Sequence, residues 1–141
     1  AFWINFRLEH LDIADSFERI YVMEDEPADK GRSMLCKQMV SLPASLIKPS
    51  TFILDEIMKD YHISKEDTYV VGDSKNKDIR TAKRAGVNGI WAQYGMSYSQ
   101  KSRRLLSSIT PWTRSQRVGG HRIVPQYSIT EFAEIKDIIK M

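Results

Sequence analysis

Three residues in this sequence are of the types that hold a hard cation and an anionic group: Lys48, Asp73 and Asp78. The lysine stands in Ile47-Lys48-Pro49-Ser50, and the acids in Val70-Val71-Gly72-Asp73-Ser74-Lys75-Asn76-Lys77-Asp78-Ile79. Gly72 lets the backbone turn sharply after a buried, β-branched run. Asp73 then projects a carboxylate where that strand ends. Asp78 falls in the opening turn of the next helix, where a negative charge also complements the helix dipole. Two acids separated by a loop can flank one cation. Mg²⁺ takes oxygen ligands, keeps several waters, and is commonly held by one or two carboxylates plus a substrate phosphate. Taken singly, each residue has an ordinary account: a turn acid, a helix-capping acid, and a solvated lysine before a helix. Ser74 and Asn76, between the acids, either shape a cation site or cap the helix.

The elements that must position these groups follow from periodicity and turn chemistry. Pro49 disfavours helical geometry at Lys48 and suits a helix start. Phe52, Ile53, Ile57, Met58 and Tyr61 then recur at helical spacing, predicting an amphipathic helix over 50–61. His62-Ile63-Ser64 reads as a turn, and Ser64 with Asp67 as a capping-box-like signal. Thr68-Tyr69-Val70-Val71 is a short buried strand ending at Gly72-Asp73. A helix from about Asn76 to Ala85 closes at Gly86, and Gly89-Ile90-Trp91-Ala92 is a further strand, which Gly95 ends. Upstream, 2–13 reads as the end of a helix and Phe17–Met23 as a strand. A short helix is predicted over 31–40 and a loop over 42–45. Downstream, Leu105, Leu106 and Ile109 suggest one helix that Pro111 stops, Gly119-Gly120 reads as a joint, and 131–140 as an amphipathic helix. Alternating strands and helices imply βαβ units and a parallel sheet. Ligands of such sheets bind outside the carboxyl ends of the strands, where Asp73 falls.

The order Lys-Pro, amphipathic helix, strand ending in Gly-Asp-x-x-x-x-Asp, Ala-rich helix, Ala85-Gly86, strand resembles the haloacid-dehalogenase (HAD) superfamily. The match runs most closely from Lys48 to Gly95, with 24–47 and 96–122 matching least well. A receiver domain places its acids before its lysine, the reverse of the order here. The resemblance implies an α/β, Rossmann-like three-layer fold with a parallel sheet, present over 1–141 as a single partial domain. It implies that Asp73 is the metal-ligating aspartate. Asp78 would be the second acid, holding a metal-bound water or orienting the lysine. Lys48 would neutralise charge on the nucleophile and the transferring phosphoryl group, contacting substrate as well as serving catalysis. Such charge stabilisation is the main protein contribution to phosphoryl transfer. The implied activity is Mg²⁺-dependent phosphate-ester hydrolysis on a small phosphorylated substrate. An acidic metal pair favours phosphoryl chemistry over dehalogenation, which needs no metal.

The sequence departs from the family in one respect. The family's nucleophile lies in an Asp-x-Asp motif at the end of its first strand, and these 141 residues contain no such motif. No Ser or Thr stands at 1–7 for the family's second-strand motif either. Both motifs, and the first strand, are expected N-terminal to Ala1, and the chain by itself is expected to be inactive. Exposure of a sheet edge would then make homo-oligomerisation plausible. The alternative is a non-catalytic binding or structural module with a degenerate site.

Composition sets the remaining bounds. The chain is 42% hydrophobic and 28% charged, ordinary for a globular domain. No apolar run spans a membrane and no signal peptide is visible, so a cytoplasmic setting is expected without a membrane partner. The single Cys36 builds neither a disulfide framework nor a metal cluster. Residues 1–78 hold 15 acids and 10 bases, whereas 79–130 hold nine bases and no acid. That block reads as a positive rim around a phosphate-binding mouth or as a solvated basic loop. Tyr94, Tyr98 and Trp112 interleave with Arg103, Arg104 and Arg114, but no nucleic-acid module is recognisable and no nucleic-acid partner is expected. His10, His62 and His121 share no metal-ligand spacing, and Trp91 is expected in the core.

Overall fold

The computed structural model describes residues 2–23, 39–109 and 120–139. The chain divides into two compact units, Ala1–Ile47 and Lys48–Met141.

In the first unit, helix α1 spans Phe2–His10 and strand β1 spans Ile20–Met23. Strand β2, Met39–Leu42, pairs with β1 in parallel, Ile20 opposite Met39 and Met23 opposite Leu42. Ile20 and Val22 are buried, the alternation expected of a strand that buries one face. The helix expected over 31–40 is thus corrected at its end, because Met39 and Val40 pair in a strand; 31–38 lie outside the described residues, as does Cys36. A short 3₁₀ turn follows at Ala44–Leu46 within the expected loop.

The second unit carries the candidate site. Helix α2 spans Phe52–Tyr61, and His62 ends it in the left-handed conformation, its N–H returning to Lys59 and Met58 carbonyls. Strand β3 (Tyr69–Gly72), helix α3 (Arg80–Ala85) and strand β4 (Asn88–Ala92) come next. Helix α4 spans Gln100–Ile109, strand β5 Tyr127–Ile129, and helix α5 Ile135–Ile138. The three strands form one parallel sheet in the order β3-β4-β5. Gly86 closes α3 at φ 74°, as a glycine C-cap should.

Neighbouring strand residues serve opposite faces, which creates three layers. Val70 packs with Leu54 and Met58 of α2 against Ala82, Ala85 and Val87. Tyr69 packs with Ile135 and Ile138 of α5 against Ile90, Ala92 and Ile129. Ile90 and Ile129 are sealed from solvent, and each side chain so buried stabilises the unit by about 1.5–3 kcal/mol. Small residues set the close approach of α3: a β-carbon on Gly89 would lie 3.2 Å from that of Ala82.

Two local expectations are corrected. Ser64 and Asp67 do bond, Asp67 N–H to Ser64 Oγ at 3.2 Å, but they close a turn rather than start a helix. The last helix is shorter than 131–140: a 3₁₀ turn at Phe132–Glu134 precedes α5, and Ile139 is extended at ψ 110°.

Candidate active site

Lys48 and Asp78, thirty residues apart, meet in an ion pair, Lys48 Nζ to Asp78 Oδ1 at 2.7 Å. The pair is asymmetric: the lysine side chain is 57% exposed and the aspartate 9%. The second carboxylate oxygen of Asp78 accepts the Ser74 N–H at 3.1 Å. Both oxygens are thereby fixed, one by a charged donor and one by backbone.

The backbone that holds Asp78 is a single π-helical turn over Lys75–Ile79, leading into α3. Such widened turns often accompany functional sites. Here the Ser74 carbonyl accepts the N–H groups of Lys77, Asp78 and Ile79, at 3.2, 2.8 and 3.3 Å. That arrangement folds the chain back so that the Asp78 carboxylate reaches the Ser74 N–H. The Thr81 hydroxyl bonds the Lys77 carbonyl at 2.7 Å and steadies the join to α3. Arg84 of α3 reaches the Pro49 carbonyl at 3.3 Å and ties the helix to the lysine's loop.

Gly72, the last residue of β3, has a requirement beyond turning. A β-carbon there would overlap the carboxyl group of Asp78. Only hydrogen at this position leaves the buried acid its place. Asp73 follows at the carboxyl end of β3 and is exposed. A second glycine makes room for it: a β-carbon on Gly95 would stand 2.5 Å from Asp73 Cβ and 3.2 Å from Oδ2. Among the described residues the Asp73 carboxylate has no hydrogen-bond or ion-pair partner. Thus Lys48 and Asp78 touch, and Asp73 lies on the same loop as Asp78 without contacting the lysine.

Sequence reasoning missed three participants. Trp91, expected in the core, is only half-buried. Its indole N–H donates to the Asp73 carbonyl at 2.9 Å. The Lys75 ammonium lies over its ring, 3.7 Å from the centroid. Gly95 reads in the sequence as a strand end, and its space-making role depends on tertiary geometry. Ser74, by contrast, is legible in the sequence as a residue between the two acids, and its N–H and carbonyl both organise the turn. Of the histidines, His10 stacks on Phe6 with ring centroids 5.9 Å apart and His62 caps α2. Among the described residues no group of three or more His, Cys, Asp or Glu side chains could hold a metal ion, nor is any helix long and apolar enough to cross a membrane.

The family model for HAD-hydrolase-like domains matches residues 46–111, which contain Lys48, Asp73 and Asp78, and this match supports membership of the HAD superfamily. No curated protein matches the chain.

Proposed function

We propose that this chain supplies the cation-holding and charge-stabilising part of a Mg²⁺-dependent phosphate-ester hydrolase. The observation that carries the reading is the Lys48–Asp78 pair, 2.7 Å long, beside an exposed acid at the end of a parallel strand. Asp73 would hold Mg²⁺ directly. Asp78 would orient Lys48 and hold a metal-bound water. The donor set suits that ion: one carboxylate with no protein partner among the described residues and a second already oriented, leaving room for the waters and phosphate oxygens that Mg²⁺ retains. When bound, the ion supplies Lewis-acid stabilisation of phosphoryl charge. Lys48, more than half exposed on its pair, can present its remaining N–H donors to a phosphoryl oxygen. The substrate is a small phosphorylated molecule, and the acid-free stretch 79–130 would raise the local concentration of such anions.

The attacking carboxylate is not supplied by an Asp-x-Asp motif within these 141 residues. The chain alone is therefore expected to bind Mg²⁺ without turning over an aryl phosphate.

Calorimetric titration of Mg²⁺ into the chain tests the site. Binding by the natural sequence and its loss in Asp73→Asn are expected. Equal binding by both would remove Asp73 from the site. Metal-dependent turnover by the 141-residue chain would show that a group outside any Asp-x-Asp motif attacks the phosphate.

A further inference from the structure

We propose that Trp91 is a positioning residue for Asp73, fixing the acid's backbone and keeping a neighbouring lysine off its carboxylate. The inference rests on the reading of Asp73 as the acid that holds the cation.

Trp91 lies directly opposite Gly72 in the parallel register of β3 and β4. From there its side chain reaches the loop that leaves β3. The indole N–H grips the carbonyl of Asp73 itself, at 2.9 Å. The ring face carries the ammonium of Lys75, 3.7 Å from the centroid. One side chain thus holds the loop at two residues, on either side of Ser74. The far wall is Gly95, whose missing β-carbon leaves the Asp73 side chain its position. Gly120 also stands close to the loop: a β-carbon there would lie 3.2 Å from Lys75 Cβ and 3.3 Å from the Asn76 nitrogen.

The position of Lys75 has an electrostatic consequence. A lysine two residues from an exposed aspartate is well placed to pair with it and compete with a divalent cation. On the indole face the ammonium is attracted by the ring quadrupole instead. The Asp73 carboxylate accordingly has no ion-pair partner among the described residues. Trp91 both fixes the acid's backbone and keeps the neighbouring ammonium on its own ring face.

The experiment is a Mg²⁺ titration of the 141-residue chain and of three variants, Trp91→Phe, Trp91→Leu and Asp73→Asn. It is followed by calorimetry and by the ¹⁵N–¹H resonances of the Ser74 amide and the Trp91 indole. Phe keeps a ring face for Lys75 but lacks the N–H, so its Kd should rise about two- to tenfold, the factor corresponding to one net hydrogen bond. Leu loses the ring as well and should bind more weakly than Phe. The indole resonance, identified by its absence in Trp91→Phe, should shift with the same midpoint as the Ser74 amide. That shift places the ion beside Asp73, and the loss of affinity in Trp91→Phe at an unchanged unfolding midpoint separates positioning from a merely structural role. Unfolding midpoints taken without Mg²⁺ establish that each variant folds; if Leu does not, Phe and the indole shift decide. Natural affinity in Trp91→Phe and Trp91→Leu, with binding lost in Asp73→Asn, overturns the positioning role alone. No binding by the natural chain, or natural binding by Asp73→Asn, overturns the reading of Asp73 and this inference with it.

Discussion

Gly95 faces Asp73 so closely that a β-carbon on the glycine would stand 2.5 Å from the aspartate's own β-carbon. Since Asp73 is exposed, it can yield outward when crowded. Gly95→Ala is therefore expected to displace the acid rather than unfold the unit. Affinity for Mg²⁺ should fall about tenfold, the effect of losing roughly 1.4 kcal/mol of ligand interaction, with a near-natural unfolding midpoint. Gly72→Ala makes the contrast. Its new methyl would overlap the buried Asp78 carboxyl group, which Lys48 and the Ser74 N–H hold in place. Overpacking there should cost about 3 kcal/mol of stability. Equal losses of stability in the two variants would contradict this distinction.

The asymmetry of the Lys48–Asp78 pair predicts asymmetric mutants. Removing the lysine leaves a buried carboxylate with the Ser74 N–H as its remaining described partner, whereas removing the acid's charge leaves a lysine already 57% exposed. Lys48→Met should destabilise the unit by about 1–2 kcal/mol, between the values for an exposed pair and for a stranded buried charge. Asp78→Asn should cost less, since Asn still accepts from Ser74. In a double-mutant cycle followed by thermal unfolding, residues in contact should show a coupling of about 1 kcal/mol. Strict additivity would mean that the pair does not form in solution.

These residues also mark what the sequence could and could not convey. Strands β3 and β4, helix α2 and the Gly86 cap were legible because each is set by local signals: β-branched runs, helical spacing and a left-handed stop. The lysine and second acid could be linked only through the order of motifs, because no local rule joins positions thirty residues apart. The role of Trp91 was illegible. A tryptophan within Gly89-Ile90-Trp91-Ala92 reads as core, and its acceptor is a backbone carbonyl on another loop, which no side-chain pattern records. Met39–Leu42 was misassigned in part because Met-Val-Ser-Leu carries neither clear alternation nor a turn signal, so its strand state comes from pairing with β1. The final helix was overextended because Ile135, Ile138 and Ile139 have helical spacing, yet Ile139 leaves the helix and still packs in the same cluster.

The start of that helix gives a prediction in pH. The Glu134 carboxylate accepts the Thr130 hydroxyl at 2.7 Å and the Glu131 N–H at 3.1 Å, while the Glu134 N–H returns to Glu131 in a reciprocal capping box. The Thr130 hydroxyl, opposed by desolvation and aided by the backbone donors of Thr130 and Glu131, holds the acid below the usual glutamate pKa. These donors favour the charged form. A lowered folded pKa means that the contribution to stability is full above the ordinary glutamate value and disappears as pH falls through the lowered one. Thr130→Val removes the leading cause and should move the carboxyl titration, read by carbon-detected NMR, back towards the ordinary range. Glu134→Gln should abolish this part of the acid dependence. Because α5 places Ile135 and Ile138 over Ile90 and Ile129, loss of the cap should first appear as faster amide exchange in α5, ahead of global unfolding. A Glu134 titration unchanged by Thr130→Val would show that the hydroxyl does not hold the carboxylate.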